Sequence, residues 1–197
     1  FQCARQRDDV YGSAPAFHGT RCGGVNWPAL KYAFAATSFL AVAGAVVSKL
    51  TGIRPPYWVG CALGFVAVVL AGVWVALRMA QVSGWRRVGV GTILGLAWVS
   101  AAEICGLFTG LPFGEYRYTE LWLPLIPLPQ GHQFPVALPI TWFVLGGAVA
   151  LLTGRRRFGW VWGGSLLALI DFALEPVLTG PVGFWHWSSG DPPVLNY

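Results

Sequence analysis

Charge is scarce in this 197-residue sequence: 11% of its residues are Asp, Glu, Lys or Arg, against about 25% in an ordinary soluble domain. Histidine is scarcer still, with three in the chain and none at an HxxH or HxxxH spacing, which leaves no His-rich box for a membrane oxygenase. The four cysteines fit no metal motif. Cys61 and Cys105 lie in apolar runs and read as small buried side chains, whereas Cys3 and Cys22 remain a candidate pair. No Ser or Cys stands with a paired base, so a hydrolase nucleophile is missing. The glycines of "GVGTILG" follow no strand and have no acidic ribose partner at the usual distance, which argues against a nucleotide loop. Residues 1–28 are polar, lack the continuous apolar core of a signal peptide, and are set apart as a segment of doubtful authenticity. With Phe1 first and Met79 the only methionine, the chain reads as a fragment.

What is abundant is apolar: 55% of the residues are hydrophobic and 11 are Trp, as suits a membrane protein with interfacial aromatic belts. Five apolar segments are long enough to span a bilayer, which needs about 20 residues. They lie near 29–50, 57–80, 88–109, 134–153 and 158–180. The expected fold is all-α, a polytopic helix bundle filling one transmembrane domain over 29–197. The pairs in "GCALG" (60–64) and "GTILG" (91–95) are small-xxx-small spacings that let helices approach closely. Between the third and fourth segments, "GLPFGEYRYTELWLPLIPLPQGHQ" (110–133) has prolines at 112, 124, 127 and 129, which rule out a continuous helix. Its aromatic residues predict an interfacial or re-entrant segment lying over the bundle.

The net charge of +5 sits in short clusters between apolar runs, a topology signal and not a nucleic-acid surface. In a five-span arrangement ten Lys and Arg fall on the side of the N-terminus and the "GRRRFG" loop, and three on the other. The expectation is a multi-pass protein of the cell membrane with its N-terminus in the cytoplasm.

"LIDFALEPVLTG" (169–180) lies in the last apolar segment, yet carries Asp171, Glu175 and Pro176. Each carboxylate near a helix centre costs about 2.5–3.5 kcal/mol on insertion. The ten Leu, Ile, Val and Phe residues between Phe158 and Gly180 return about 0.3–0.6 kcal/mol each, so the helix is balanced at the edge of tolerance. Asp171 and Glu175, four apart, share one helix face, and Pro176 removes an amide donor beside them. Glu103 in the third segment falls at a similar depth, and the loop 110–133 and the C-terminal "GFWHWSSGDPPVLNY" both emerge at that end. The plain alternative is that each acid merely accepts from a backbone or Trp N–H. A carboxylic acid in apolar surroundings keeps its proton and is suited to delivering it, and aromatic faces stabilise a cation that forms beside them. Acids, aromatics and water together suggest proton-initiated chemistry on an alkene: hydration, cyclisation or isomerisation.

Several stretches, "AEICGLFTGLPFGEYRYTE", "PVALPITW", "DFALEP" and "WHWSSGDPPVLNY", resemble the integral-membrane carotenoid biosynthesis protein family. The resemblance covers roughly residues 100–197, the first 90 residues agreeing only in hydropathy. Its motif residues are Glu103, Gly106, Thr109-Gly110, Pro112-Phe113-Gly114, Tyr116, Tyr118, Trp142, Asp171, Glu175-Pro176, Trp185, Trp187, Pro193 and Asn196. The family includes carotenoid hydratases of the bisanhydrobacterioruberin hydratase and γ-carotene 1′-hydroxylase type. The resemblance therefore implies a hydro-lyase that needs no cofactor and adds water to the terminal double bond of an acyclic carotenoid end group, giving a tertiary alcohol. Expected substrates are lycopene, γ-carotene or a bisanhydrobacterioruberin-like polyene, with membrane lipid and other carotenoid biosynthesis enzymes as neighbours. Asp171, Glu175 and Glu103 are the expected catalytic acids; Phe113, Tyr116, Tyr118, Trp142, Trp185, Trp187 and Asn196 are expected to bind substrate. The family pattern continues beyond "NY" with a further apolar stretch, so a final helix is expected to be missing. Two other readings use the same acids: a proton pathway in a small transporter, which would spread carboxylates toward both faces, and a carotenoid- or lipid-binding scaffold without catalysis.

Overall fold

A computed structural model describes residues 27–52, 56–111, 114–154, 157–180 and 182–188. Phe113, Pro193, Asn196, Cys3, Cys22 and the greater part of the polar segment 1–28 lie outside them. Five helices follow one another: α1 (Trp27–Thr51), α2 (Tyr57–Ser83), α3 (Trp85–Thr109), α4 (Ala137–Thr153) and α5 (Gly159–Thr179). Among them α2, α3 and α5 are long and apolar enough to cross a bilayer, marking an integral, multi-pass membrane protein. Large apolar side chains face outward, with Trp98 77% and Trp160 82% exposed, as lipid-facing surfaces require. α4 is apolar but has 17 residues, about 25 Å of helix. It starts at Ala137 and not at 134 because 133–135 form a strand instead.

The fold is not purely helical. Four three-residue strands make two antiparallel pairs at one end of the bundle: β1 (Tyr116–Tyr118) with β4 (Trp185–Trp187), and β2 (Leu125–Pro127) with β3 (Gln133–Pro135). β1 and β2 lie within the proline-aromatic segment, β3 begins at its end, and β4 comes from the C-terminal "WHW". The sequences YRY and WHW explain the first pair, since alternate residues of a strand face one side. Tyr116 lies opposite Trp187, Arg117 opposite His186, and Tyr118 opposite Trp185. Four aromatic rings thus share one face, while Arg117 and His186 are exposed on the other. Cross-strand aromatic pairs of this kind contribute about 0.2–1 kcal/mol each.

Helix α4 is the hub and packs against α2, α3 and α5, while α1 packs on α2. Close approach occurs at Gly72, where an added Cβ would stand 3.4 Å from Ile140, and at Gly147, where it would overlap Val75. The glycines of "GCALG" and "GTILG" behave differently from the expectation. A Cβ at Gly60, Gly64, Gly91 or Gly95 would meet no atom within 4 Å. These small residues open space between helices and do not close it.

Two glycine turns place α3. Gly84 alone separates α2 from α3, at φ +85°, with its N–H bonded to Ala80 O at 2.8 Å. Gly110 ends α3 in the left-handed region at φ +69°, donating to Gly106 O at 2.8 Å. Both conformations are open to glycine without the steric cost a side chain brings. Because successive helices are antiparallel, the C-terminal ends of α3 and α5 and the N-terminal ends of α2 and α4 gather beneath the strands.

Candidate functional site

The cap is tied to the helix ends by hydrogen bonds. Thr119 donates from its backbone N–H to Phe184 O at 3.0 Å and from its hydroxyl to Gly183 O at 2.7 Å. Phe184 N–H donates to Leu178 O at 2.8 Å, and Cys61 Sγ donates to Leu121 O at 3.0 Å. Below the strands, Leu107, Tyr116, Phe134 and Leu138 form a buried cluster, with Tyr118, Trp122, Trp142, Trp185 and Trp187 packed against it. Five of the seven expected substrate-binding residues are therefore brought together: Tyr116, Tyr118, Trp142, Trp185 and Trp187. The other two, Phe113 and Asn196, lie outside the described residues.

The three acids have different surroundings. Glu103 Oε1 accepts the hydroxyl of Tyr116 at 2.5 Å and also that of Tyr118. Glu175 Oε1 accepts the indole N–H of Trp185 at 3.1 Å. Trp187 Nε1 is buried and makes no hydrogen bond of standard geometry, though it lies close enough to act on the Glu175 carboxyl group. Asp171 has no side-chain hydrogen bond among the described residues. The three groups are near enough for the charge of Asp171 to act on both Glu103 and Glu175. The tyrosines hold their protons well above the ordinary phenol range. For both Tyr116 and Tyr118 the larger cause is burial, reinforced by the neighbouring Glu103 charge. They remain donors to Glu103 throughout the physiological range.

A cavity of about 750 Å³ opens beside this cluster, between α2, α4, α5 and the cap. Asp171 is the only one of the three acids on its wall. Trp122, Phe184 and Trp185 line it from the cap side, and Tyr57, Phe65, Trp142 and Leu145 from the helices. Trp122 stacks on Phe184 with centroids 4.7 Å apart and on Trp185 at 5.7 Å. Glu103 stands behind the aromatic wall, joined to it through Tyr118, whose ring meets Trp122 edge-on at 5.6 Å. Trp122, Phe184 and the α2 residues escaped the sequence reading as site residues. An aromatic residue in a belt looks the same in sequence as one in a wall, and α2 contains no acid to draw attention. Gly60 and Gly64 also line this space, which is what their spacing provides here.

The site can supply a proton donor facing an apolar chamber, π faces beside it, and two further carboxyl groups held by aromatic donors. Among the described residues, no group of three or more His, Cys, Asp and Glu side chains is arranged to hold a metal ion.

No curated protein and no solved structure matches the chain. The sequence pattern of one family does, over residues 62–197, and it begins well before the residues near 100 at which the motif resemblance starts. It takes in most of α2, including part of the cavity wall, together with α3, the cap, α4 and α5. With more than half of its length matched, the chain belongs to the carotenoid biosynthesis protein family.

Proposed function

We propose that the protein is a carotenoid hydratase acting on the terminal double bond of an acyclic end group. The observation that carries this reading is the position of Asp171, a carboxyl group without a hydrogen-bond partner among the described residues, on the wall of an apolar, aromatic-lined cavity. Asp171 transfers its proton to the less substituted carbon of the terminal alkene. The π pair becomes the new C–H bond, and a tertiary cation remains on the neighbouring carbon. The faces of Trp122 and Trp185 stabilise that cation. A water molecule adds its oxygen to the cation, and Glu175 accepts the proton that water releases. Glu175 suits this role because Trp185 fixes its orientation at 3.1 Å. Return of the proton from Glu175 to Asp171 completes the cycle, so water is consumed and nothing is oxidised or reduced. Glu103, with one oxygen accepting from two tyrosines, anchors the cap that closes the chamber.

The test is oxygen labelling. The protein in membranes is given lycopene anaerobically in water enriched in heavy oxygen. The expected product is a tertiary alcohol carrying the label, formed without dioxygen or reductant. Product that forms only in air, with unlabelled oxygen, means an oxygenase and removes the acid mechanism. No product from either lycopene or γ-carotene, with pigment still bound, points to a binding scaffold.

A further inference from the structure

Water is the second substrate of an alkene hydration, and the chamber at Asp171 is apolar. Water held in such a space needs about two to four polar partners. Among the described residues on the cavity wall, Thr141 of α4 carries the one aliphatic hydroxyl. The phenol of Tyr57 is the other hydroxyl, on the first residue of α2 and 53% exposed. The thiol of Cys61 and the indole N–H of Trp185 are already spent on Leu121 O and Glu175.

Thr141 donates its hydroxyl hydrogen to Ala137 O at 2.9 Å. Thr37, Thr51, Thr109, Thr153 and Thr179 make the same bond to the carbonyl four residues back, so the bond alone marks no site. What it fixes is direction. With its hydrogen turned to the backbone, Oγ1 offers the cavity lone pairs only. A water beside it must donate to it.

Helix packing brings Thr141 to the level of the acids. A Cβ at Gly163 of α5 would stand 3.3 Å from Val149 and 3.1 Å from Thr153 of α4. The two helices run antiparallel. Eight residues on along α5 and eight back along α4, about 12 Å on each, Asp171 comes level with the turn from Thr141 to Leu145. Four residues further, Glu175 comes level with the turn from Ala137 to Thr141. Thr141 is common to both turns and lies between the levels of the two acids.

We infer that Thr141 holds the water that adds to the cation, an inference that rests on the hydration reading. The water donates one hydrogen to Thr141 Oγ1 and the other to Glu175, which turns its lone pairs toward the cationic carbon. The C–O bond forms as Glu175 takes the second hydrogen as a proton. Thr141 exchanges no proton, and its bond to Ala137 persists. Without this acceptor the cation has another exit: a neighbouring C–H bond breaks, its electron pair closes a double bond, and its proton returns to the Asp171 carboxylate. Thr141 thereby decides between alcohol and alkene.

The test measures that partition. Protein in membranes is given lycopene anaerobically in deuterated water. Two outcomes are counted: the tertiary alcohol, and alkene that has taken up deuterium at its end group or shifted its double bond. Thr141→Val keeps the size of the side chain and removes the acceptor. It is expected to lower the alcohol about 10- to 100-fold, while deuterated and shifted alkene rises at its expense. Thr141→Ser keeps the parent's partition, and so does Thr37→Val, which removes the same backbone bond on α1. A monodisperse gel-filtration peak checks folding; a valine variant that fails it is replaced by Thr141→Cys, whose thiol is a weak acceptor. Parent-like alcohol from the folded variant, or an equal fall of alcohol and deuterated alkene, overturns the role of Thr141. A parent protein that makes no alcohol removes the hydration reading and this inference with it, whereas an active parent with an unmoved partition in the variant sinks the inference alone.

Discussion

Tyr118 and Trp185 face each other across the β1–β4 pair, and each holds a different acid: Tyr118 donates to Glu103 on α3, and Trp185 donates to Glu175 on α5. One rung of a six-residue sheet therefore ties together the carboxyl groups of two helices that have α4 as their common neighbour. The rung is stacked into the wall through Trp122, 5.7 Å from Trp185.

This arrangement makes the two bonds interdependent. Tyr118→Phe and Trp185→Phe each remove a hydrogen bond to a carboxyl group, a loss of about 1.5–3 kcal/mol if the group is charged and about 0.5–1.5 if it is neutral. Thermal unfolding of the two single variants and the double variant gives the coupling. The expected coupling is at least about 0.5 kcal/mol, because breaking either bond loosens the strand that positions the other. Additivity within about 0.3 kcal/mol would show that the two acids are held independently.

The acids are expected to separate by role. Asp171→Asn and Glu175→Gln each lower product formation by about 10²- to 10⁴-fold, the range of general acid and base catalysis, with normal accumulation in the membrane. Glu103→Gln keeps the shape of the side chain but weakens the acceptor for both tyrosines. Its activity loss is expected to come with a lower melting temperature, which the Asp171 variant does not show. Near-normal product from both α5 variants would remove them from the mechanism.

Alkaline pH probes the tyrosines. Their protons are held above the ordinary phenol value near 10 in the folded state, chiefly by burial. Below that value both folded and unfolded chains carry the protons, and the phenols add no pH dependence. Above it the unfolded chain releases protons that the folded chain keeps, so stability falls as pH rises. Unfolding followed from pH 8 to 11 should show this fall in the parent protein and a shallower one in Tyr116→Phe/Tyr118→Phe. Equal slopes would mean that both phenols ionise freely in the folded protein.

Orientation is open to labelling. The distribution of Lys and Arg predicts that position 156 faces the cytoplasm and position 120 the opposite side. In a background without the native cysteines, Glu120→Cys should react with an impermeant thiol reagent on intact cells and Arg156→Cys should not. The reverse pattern would invert the topology.

Hydropathy located all five helices to within a few residues, because a long apolar run has few other stable states in a bilayer. The gathering of Glu103, Asp171 and Glu175 at one end followed from helix direction alone. Two features were not legible. The strands of the cap are three residues long, too short for a period to stand out, and β1 finds its partner some 70 residues away. The glycines at 60, 64, 91 and 95 were misread because spacing reports only that a face is bare. Whether a neighbour fills that face depends on where α4 sits, which "ALPITWFVLGG" does not state by itself.

The pairing of Glu103 with Tyr116 and Tyr118, and of Glu175 with Trp185, also bears on how such a chain enters the bilayer. The donors follow their acids by 13, 15 and 10 residues, so each acid-bearing helix is made just ahead of the groups that satisfy it. A nascent α3 need not wait for the rest of the bundle before its acid has company. Asp171 has no such companion among the described residues, and it stays exposed in the folded protein. Of the three acids Asp171 is thus the one whose insertion no trailing donor assists, and it shares α5 with Glu175, whose donor follows in β4.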